Sequence, residues 1–309
     1  MSSVFEEKKQ IIAKIKTAGI KSAEIDAEIL VESASGKSRE FLLAHPKFEM
    51  TDVMVKKLDA MVTRRLTNEP IAYIVGVKEF FGLDFFVTAN VLIPRPETEL
   101  LVETVLDFPQ TTNYKLQTIL DLGAGSGNII ISLASNLCNP LPIVNELHKS
   151  GNYFRFFASD ISFAALKVAR KNARFHSVDD KIKFIKSDLF QNISDKFDII
   201  VANLPYVPKE SEKRKVPTGS AEARKSEKLW KKEIYFEPES AIFAADNGAG
   251  LIKKFLDQAK NHINKNGLIL LEVDPRNAKN ILLYSRRKFT STELTKDLTG
   301  KDRLIKILT

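Results

Sequence analysis

Apolar runs and amphipathic stretches alternate along most of this chain, and their order predicts its architecture. From residue 117 onward the alternation is typical of a mostly parallel sheet with helices on both faces. Strands are predicted at 117–122, 153–159, 181–186, 197–202 and 267–273, and helices at 127–136, 162–174, 248–264 and 276–287. Two more strands, at 289–294 and 303–308, flank Gly300 and are predicted to complete the sheet in antiparallel fashion.

The first 70 or so residues predict short helices instead. One helix over 23–34 follows Ser22, a favourable N-cap residue, and ends near Gly36. A second helix begins at Thr51, and its apolar residues recur at helical spacing on one face: Met54, Leu58, Met61, Val62 and Leu66. We interpret these stripes as the packing of a small bundle, without a chemical role.

A segment with a different pattern follows. Residues 71–75 and 80–87 are rich in aromatic and β-branched side chains with a glycine between them, which predicts paired strands. Pro94 and Pro96 then impose an extended backbone, and 97–106 is predicted to be helical. The segment is therefore interpreted as a connector between domains.

Composition narrows the class of protein. The chain has 309 residues, of which 44% are hydrophobic, enough for about two packed domains. Its start contains early acidic residues and no long apolar core, so it does not resemble a signal peptide. No apolar run approaches the roughly 18 residues of a membrane span. The single cysteine, Cys138, allows no internal disulfide and favours a reducing compartment, the cytoplasm. The four histidines have no ligand-like spacing, so no metal site is expected.

The formal charge of +8 favours an acidic or ribonucleoprotein neighbourhood, although many basic proteins bind no nucleic acid. The densest basic stretch lies in an insertion at 209–233, and another insertion lies at 139–152. The first is interpreted either as a solvated loop or, because it follows Tyr206 closely, as a lid or contact for a macromolecular substrate.

A glycine-rich turn, Gly123 to Gly127, follows the strand at 117–122. Glycines allow positive φ and let a ligand approach the backbone where a strand passes into a helix. The dinucleotide fingerprint is not met, because position 128 is Asn and the next acid at a strand end is the distant Asp160. Asp160 is suited to accept hydrogen bonds from two ribose hydroxyls; alternatively it caps the helix that begins near 162.

Two further segments at strand ends carry candidate chemistry. Asp188 is placed to accept from an adenine amino group while Leu189 or Phe190 covers the ring, with a turn and core packing as the alternative. Asn203 to Tyr206 follows the strand at 197–202. The Asn203 side-chain oxygen and the Leu204 carbonyl can each accept one N–H of an amide, which stabilises charge developing on its nitrogen. Pro205 holds Leu204 extended, and Tyr206 stacks on the amide or excludes water. Together with the glycine turn, this indicates methyl transfer from S-adenosylmethionine to nitrogen; a plain strand-ending turn is the alternative.

With these residues assembled, the chain resembles the HemK/PrmC-type glutamine N5-methyltransferases, which modify the GGQ loop of peptide chain release factors. The resemblance covers nearly the full length. The segments that carry it are Pro70–Ile74, Glu79–Leu83, Val91–Glu103, Asp121–Gly127, Glu237–Ala241, Leu271–Val273 and Gly300–Arg303.

The resemblance implies an α/β fold: a class I, Rossmann-like S-adenosylmethionine methyltransferase domain at 97–309, a helical substrate-binding domain at 1–70 and a β-hairpin connector at 71–96. It implies S-adenosylmethionine as cofactor, S-adenosylhomocysteine as product and release factors as partners, with neither a membrane nor nucleic acid required. The implied cofactor-binding residues are Gly123, Ala124, Gly125, Ser126, Gly127, Asp160, Asp188, Leu189 and Asn203. The implied catalytic residues are Asn203, Leu204, Pro205 and Tyr206.

The chain departs from the family pattern at three places. Leu204 replaces the first proline of an Asn-Pro-Pro-Tyr motif, which retains the backbone carbonyl and reduces rigidity. The segment 244–248 stands where an Asp-Gly-Gly-like turn is common, and the insertion at 209–233 is long and basic.

Other functions remain open at this point. A ribosomal protein is an alternative glutamine substrate. An adenine N6 methyltransferase on DNA or RNA would present similar N–H geometry, but it requires neither the helical domain nor the connector. A non-catalytic nucleotide- or ribosome-binding protein is the third alternative, and failure to bind S-adenosylmethionine would favour it.

Overall fold

The computed structural model describes residues 2–108, 116–138, 153–208 and 233–309. The chain forms two compact units: the first contains 2–77 and 233–236 of these residues, and the second contains the rest. The insertion at 139–152 and all but Glu233 of the insertion at 209–233 lie outside the described residues. No helix in the described ranges combines the length and apolar character needed to cross a bilayer.

The first unit is a small helical bundle. Its elements are β1 (Ser2–Ser3), α1 (Val4–Thr17), α2 (Ala23–Ser35), α3 (Arg39–Ala44), β2 (Glu49–Met50), α4 (Asp52–Leu66) and α5 (Ile71–Val75). The predicted helices correspond to α2 and α4, and the apolar stripe of α4 contributes Leu58, Met61 and Val62 to the bundle core. Gly36 ends α2 with a left-handed backbone at φ 65°.

A buried ion pair joins α2 to α4. The Arg65 guanidinium lies 2.6 Å from Asp26 and 2.7 Å from Glu233, with the Arg65 side chain only 3% exposed. Ser22 does not cap α2 through its side chain as predicted. Its hydroxyl donates to the Asp26 carboxylate instead, because that buried anion is the stronger acceptor.

The predicted strand at 71–75 is wrong: this segment is the helix α5. Pro70 precedes its first turn, and Gly76 ends it with φ at 81°. These two residues are the helix-start and helix-stop signals that β-branched composition obscured. Ile74 packs in the bundle core, so the segment belongs to the first unit.

The connector hairpin consists of β3 (Val77–Phe80) and β4 (Leu83–Phe86). Its two-residue turn places Phe81 and Gly82 at φ 53° and 72°, as a type I′ turn requires. The strain at Phe81 is offset by side chains: Glu99 accepts the Phe81 N–H at 3.0 Å, and Glu79 accepts the Gly82 N–H at 2.6 Å.

The second unit is the predicted α/β domain. Its remaining elements are a 3₁₀ turn (Pro96–Thr98), α6 (Glu99–Leu106), β5 (Leu116–Leu122), α7 (Asn128–Cys138), β6 (Tyr153–Asp160), α8 (Phe163–Phe175), β7 (Ile182–Lys186), β8 (Phe197–Ala202), β9 (Val207–Pro208), α9 (Glu239–Ile242), β10 (Phe243–Ala244), α10 (Gly250–His262), β11 (Ile263–Glu272), α11 (Ala278–Arg286), β12 (Ser291–Lys296) and β13 (Asp302–Leu308).

The seven-stranded sheet has the order β12-β13-β11-β8-β5-β6-β7. Strands β7, β6, β5, β8 and β11 are parallel, while β13 runs antiparallel to both β11 and β12. The five parallel strands and the closing antiparallel pair are therefore confirmed. The chain order reverses at β5, so the carboxyl ends of β5, β6 and β8 converge on one edge, where open α/β sheets bind ligands.

Successive side chains of the central strand face opposite sides of the sheet. Leu120 and Leu122 pack in the core cluster with α10, whereas Ile119 packs in the other with α6 and α7. Both faces are covered, which explains why the strands read as continuous apolar runs.

One buried amide ties three segments of this unit together. Asn172 on α8 is fully buried, and its side-chain oxygen accepts the Phe86 N–H at 2.8 Å. Its side-chain nitrogen donates to the Phe86 carbonyl at 3.0 Å and to the Ser126 carbonyl at 2.8 Å. The connector hairpin, the glycine turn and α8 are thus joined by a single side chain.

We expect Asn172→Ala to lower the free energy of unfolding by about 3 kcal/mol, because it leaves the buried Ser126 carbonyl and the half-buried backbone groups of Phe86 without this partner. Urea unfolding followed by circular dichroism measures the change. Asn280→Ala, at an exposed site on α11, is the matched control and should change stability by less than about 0.5 kcal/mol. Equal effects of the two substitutions would contradict this role.

A buried carboxyl group lies at the end of β5. Asp121 is fully buried, accepts only the Ile130 N–H at 3.3 Å through one oxygen, and has no partner for the other within the described residues. Burial raises the pKa of Asp121 from 3.8 to about 7, with the neighbouring Asp160 contributing in the same direction. The folded protein therefore holds a proton there that the unfolded chain releases.

A pKa raised by folding stabilises the protein at low pH, and this contribution is lost as the pH rises through the folded value. Relative to wild type, we expect Asp121→Asn to gain up to about 4 kcal/mol in free energy of unfolding between about pH 4 and pH 7. Urea unfolding of both proteins across this range measures it. A difference that stays constant with pH would show that the buried carboxyl does not titrate as described.

Candidate active site

A cavity of about 210 Å³ opens at the carboxyl edge of the parallel strands. Its walls come from the segments that follow β5, β6, β7 and β8, and from the connector and the start of α9. The lining includes all but one of the predicted cofactor-binding residues, namely Gly123, Ala124, Gly125, Ser126, Asp160, Asp188, Leu189 and Asn203, and the predicted catalytic residues Leu204 and Pro205. Sequence-distant motifs therefore meet around one space.

The glycine turn requires glycine for two different reasons. Gly123, Gly125 and Gly127 all have positive φ, at 84°, 54° and 81°. A Cβ on Gly127 would lie 2.8 Å from Ile131 and 3.1 Å from Ala169, so this glycine permits close packing of α8. At Gly125 the same position has open space within 4 Å, and the residue lines the cavity. Bare backbone thus borders the cavity at Gly125.

Asp160 secures this turn. One carboxylate oxygen accepts the Gly125 N–H at 2.9 Å and the other accepts the Ser162 N–H at 2.8 Å. Burial raises the pKa of Asp160, and these two backbone donors oppose the shift. Ser162 itself caps α8 by accepting the Ala165 N–H, so the predicted capping role for Asp160 is only partial. Each carboxylate oxygen retains capacity to accept from a ligand hydroxyl.

The turn after β7 is strained. Leu189 is buried and adopts φ 48°, a left-handed conformation that is rare for leucine. The Ser187 hydroxyl holds it by donating to the Leu189 carbonyl at 2.7 Å and accepting the Asn192 N–H at 3.0 Å. Asp188, which also lines the cavity, is half-exposed with its carboxylate 3.6 Å from the Lys254 ammonium. Strain held by a dedicated hydrogen bond is typical of functional turns.

Asn203 belongs to a chain of hydrogen bonds that leads from the cavity wall, where Asn203 and Thr98 both lie, into the buried interior. Its side-chain nitrogen donates to the Thr98 hydroxyl at 3.0 Å. Thr98 donates to Glu272 at 2.7 Å, and the Tyr206 hydroxyl donates to the other Glu272 oxygen at 2.9 Å. The Asn203 side-chain oxygen is therefore turned away from Thr98.

Leu204 and Tyr206 make different contacts. Leu204 is buried, and its Cδ2 lies 3.3 Å from where a Gly123 Cβ would be, so the leucine packs directly against the glycine turn. The ring of Tyr206 packs against the core. Burial and the nearby Glu272 carboxylate raise the pKa of Tyr206 well above 10, so its hydroxyl remains protonated.

A turn with unusual backbone supports Tyr206. Asp246, Asn247 and Gly248 have φ of 55°, 53° and 88°. Asp and Asn are the non-glycine residues that best tolerate this conformation. A Cβ on Gly248 would lie only 2.0 Å from the Tyr206 carbonyl oxygen, so no other residue fits there. The segment 244–248 thus forms a left-handed turn without a second glycine.

The connector is held by a residue that sequence reasoning assigned no role. The Glu237 carboxylate, 2% exposed in its side chain, accepts the Ile93 N–H at 3.0 Å and pairs with the Arg95 guanidinium. Both partners lie in segments that carry the family resemblance. This pair brings Pro94 and Arg95 to the cavity rim, together with Pro238.

Thr98 and Glu272 are the other residues that sequence reasoning missed. Thr98 ends the 3₁₀ turn and Glu272 is the last residue of β11, 174 positions away. In the sequence, the indication is an acidic residue at the end of an apolar strand of the sheet, which is the position that Asp160 has on β6.

Among the described residues, no group of three or more His, Cys, Asp or Glu side chains is arranged to hold a metal ion. The cavity offers bare backbone at Gly125, the half-buried carboxylates of Asp160 and Asp188, and the oriented amide of Asn203. These groups can hold a nucleoside-containing ligand beside a planar amide or amino group.

Comparison with known proteins identifies both parts of the chain. Residues 8–76 match the PrmC N-terminal domain, and residues 114–298 match a methyltransferase domain. The hMettl16 catalytic domain, solved in complex with the MAT2A 3'UTR hairpin 6, has a TM-score of 0.50 and 16% identity, covering 83% of this chain and 82% of that one. This likeness concerns the class I methyltransferase fold.

Two relatives illustrate the sequence similarity. A bifunctional methyltransferase of Rickettsia bellii is 32% identical over 95% of this chain, which spans about half of that relative's length, 52%. A release factor glutamine methyltransferase of Haemophilus influenzae is 33% identical over 92% of this chain and 90% of its own length. With both domains matched and near-complete coverage of such a relative, the chain belongs to the release factor glutamine methyltransferase family.

Proposed function

We propose that this protein transfers a methyl group from S-adenosylmethionine to the side-chain amide nitrogen, N5, of the glutamine in the GGQ motif of peptide chain release factors. S-adenosylhomocysteine is the second product. The observation that carries the proposal is the meeting of the glycine turn, Asp160 and the oriented amide of Asn203 around one cavity. The family membership supports the same substrate class.

The cofactor side of the cavity fits a nucleoside. The backbone at Gly125 borders open space, so a ligand can lie against it. We assign the glycine turn, Gly123 to Gly127, to the amino acid moiety, and Asp160 to the ribose hydroxyls. Asp188 and Leu189 are assigned to the adenine, with Leu189 covering the ring. When bound, S-adenosylmethionine supplies a sulfonium methyl group with a good leaving group.

The substrate side is assigned to Asn203, Leu204 and Pro205. The Asn203 side-chain oxygen and the Leu204 carbonyl each accept one N–H of the glutamine amide, which directs the nitrogen at the methyl carbon. S-adenosylmethionine would supply the methyl carbon, and the electron pair of its broken S–C bond would stay on sulfur. The Asn203 and Leu204 oxygens stabilise the positive charge that develops on nitrogen until one N–H proton passes to water.

Leu204 serves this geometry through its backbone. Its buried side chain packs against Gly123 and so fixes the Leu204 carbonyl by packing, where a proline ring would restrict φ. Tyr206 acts from behind the wall, since its hydroxyl is bonded to Glu272. We assign Tyr206 to this bond, because its ring packs against the core.

We further propose that the helical domain, predicted at 1–70 and extended by α5 in the structure, contributes to release-factor binding. The rest of 71–96 is the connector and 97–309 is the catalytic domain. Translation termination places such an enzyme in the cytoplasm. A ribosomal protein or an adenine-containing nucleic acid would be the substrate if release factors are not modified.

The deciding experiment is intact-mass and peptide mass spectrometry of a purified, unmodified release factor after incubation with this protein and S-adenosylmethionine. One added methyl on the GGQ glutamine is expected. Cofactor binding without methylation would overturn the substrate assignment and redirect the search to ribosomal proteins and nucleic acids.

Asn203→Ala should lower kcat at least about 100-fold, because it removes an acceptor that acts on the charge developing at nitrogen. Affinity for S-adenosylhomocysteine, measured by calorimetry, should change by less than about threefold if the side chain acts mainly on the substrate. Asn280→Ala again serves as the exposed control. Near-normal turnover in Asn203→Ala would remove this residue from the mechanism.

Asp160→Asn should weaken S-adenosylhomocysteine binding about tenfold or more, since it replaces a charged acceptor of hydroxyl protons. Because Asp160 also holds Gly125, the substitution must be compared on a second ligand. The loss of affinity should be smaller for the 2′-deoxy analogue of S-adenosylhomocysteine, as coupled groups require. Equal losses for the two ligands would mean that Asp160 supports the turn without contacting the ribose.

A further inference from the structure

The hydrogen-bond chain behind the cavity has a defined direction. It runs from Tyr206 through Glu272 and Thr98 to Asn203, over distances of 2.9, 2.7 and 3.0 Å. Glu272 and Thr98 are 1% and 2% exposed, so water does not compete for these bonds. Asn203, at the end of the chain, lines the cavity, and so does its neighbour in the chain, Thr98.

The direction of these hydrogen bonds follows from the number of protons that each group carries. The two oxygens of Glu272 accept one hydroxyl hydrogen bond each, from Thr98 and Tyr206. Burial raises the pKa of Glu272, while these two donors and the nearby Arg303 oppose the shift and favour the carboxylate, which only accepts. A threonine hydroxyl has a single proton, so Thr98 can offer Asn203 only a lone pair. Asn203 must therefore present its NH₂ group to Thr98 and its oxygen to the opposite side. A reversed amide would place its oxygen against the Thr98 lone pair, so that two acceptors would face each other.

Thr98 differs in this respect from a threonine six residues further on. Thr104, on α6, donates to the Leu100 carbonyl at 2.7 Å, a backbone bond that helical threonines commonly make. Thr98 donates to a buried side chain 174 positions away instead. Because the Thr98 hydroxyl does not bond the backbone, it does not stabilise a helix. Its effect is on the orientation of the Asn203 amide.

We propose that Thr98 and Glu272 are positioning residues that hold the Asn203 amide with its oxygen toward the substrate and so make the site select glutamine over glutamate. The inference rests on the proposed function and specifies the chemistry of that site. A fixed acceptor pairs with the N–H donors of a glutamine amide. The same acceptor faces only lone pairs when a glutamate carboxylate occupies the position.

The selectivity depends on the amide being unable to turn. A free Asn side chain rotates by half a turn and offers NH₂ to a carboxylate, at which point it accepts either substrate. A site built to bond an N–H rejects an analogue without it far more strongly than a site that adapts. Thr98 and Glu272 remove the adaptive orientation because each of their protons is already committed.

The experiment compares two ligands and four proteins. The ligands are an unmodified release factor and its variant with the GGQ glutamine replaced by glutamate, both titrated in the presence of S-adenosylhomocysteine. The proteins are wild type, Thr98→Val, Thr98→Ser and the control Thr104→Val. Valine has the shape of threonine without the hydroxyl, whereas serine restores the hydroxyl. Turnover with S-adenosylmethionine is measured in parallel.

We expect Thr98→Val to reduce the preference for the glutamine form at least about tenfold, chiefly by binding the glutamate form more tightly, and to lower kcat about tenfold. Thr98→Ser should return both quantities to within about threefold of wild type. Thr104→Val should leave the preference unchanged, since its hydroxyl bonds only the backbone. A general loss of structure would weaken both ligands together and so cannot produce this pattern.

An unchanged ratio of the two affinities in Thr98→Val, with normal turnover by wild type, overturns the inference alone. Absence of methylation by wild type overturns the proposed function and this inference with it. If Thr98→Val does not fold, Glu272→Gln replaces it, because a glutamine there offers either an oxygen or an NH₂ group to Thr98. Its preference should fall in the same direction, and an unchanged preference overturns the inference.

Discussion

The side-chain amide of Asn172 is the interaction on which the cavity depends. It satisfies both backbone groups of Phe86 in the connector hairpin and the carbonyl of Ser126 in the glycine turn. The missing side chain of Gly127 lets α8 come close enough for these bonds to form, since Ala169 would be 3.1 Å from a Cβ there. The floor of the cavity and the segment leading to its rim are therefore positioned from the same helix. Packing alone, which is non-directional, would leave their relative register loosely defined.

The second constraint is the direction of hydrogen bonds around Asn203. The orientation of the Asn172 amide is fixed because backbone groups on two segments bond both its oxygen and its nitrogen. The Asn203 amide is held through its nitrogen only, by Thr98. The other end remains available to a ligand. Burial supports both arrangements, because a buried group left without its partner costs roughly 1–3 kcal/mol. The site therefore combines one amide that holds structure with one that is oriented for use.

The sequence predicted those features that local pattern determines. Apolar runs indicated the five parallel strands, and Gly123, Gly125 and Gly127 marked the turn because positive φ leaves few other residues possible. The strand predicted at 71–75 is wrong: the composition favours a strand, but Pro70 and Gly76 bound a short helix. The pairing of Glu237 with Arg95, and of Thr98 with Glu272, could not be read from spacing, since each partner lies more than 100 positions from the other. Such contacts depend on how the sheet orders its strands, which is a property of the whole fold.

The turn at Asp246–Gly248 has a consequence for how proteins of this kind diverge. Three successive residues of this turn have left-handed backbone. Only the last position is restricted to glycine, because a Cβ at Gly248 would lie 2.0 Å from the Tyr206 carbonyl oxygen. Asp246 and Asn247 occupy the other two positions at modest conformational cost. The sequence of this loop can therefore lose glycines at the first two positions while the backbone conformation is retained. A search based on torsion angles would recognise this loop where a search based on letters finds a mismatch.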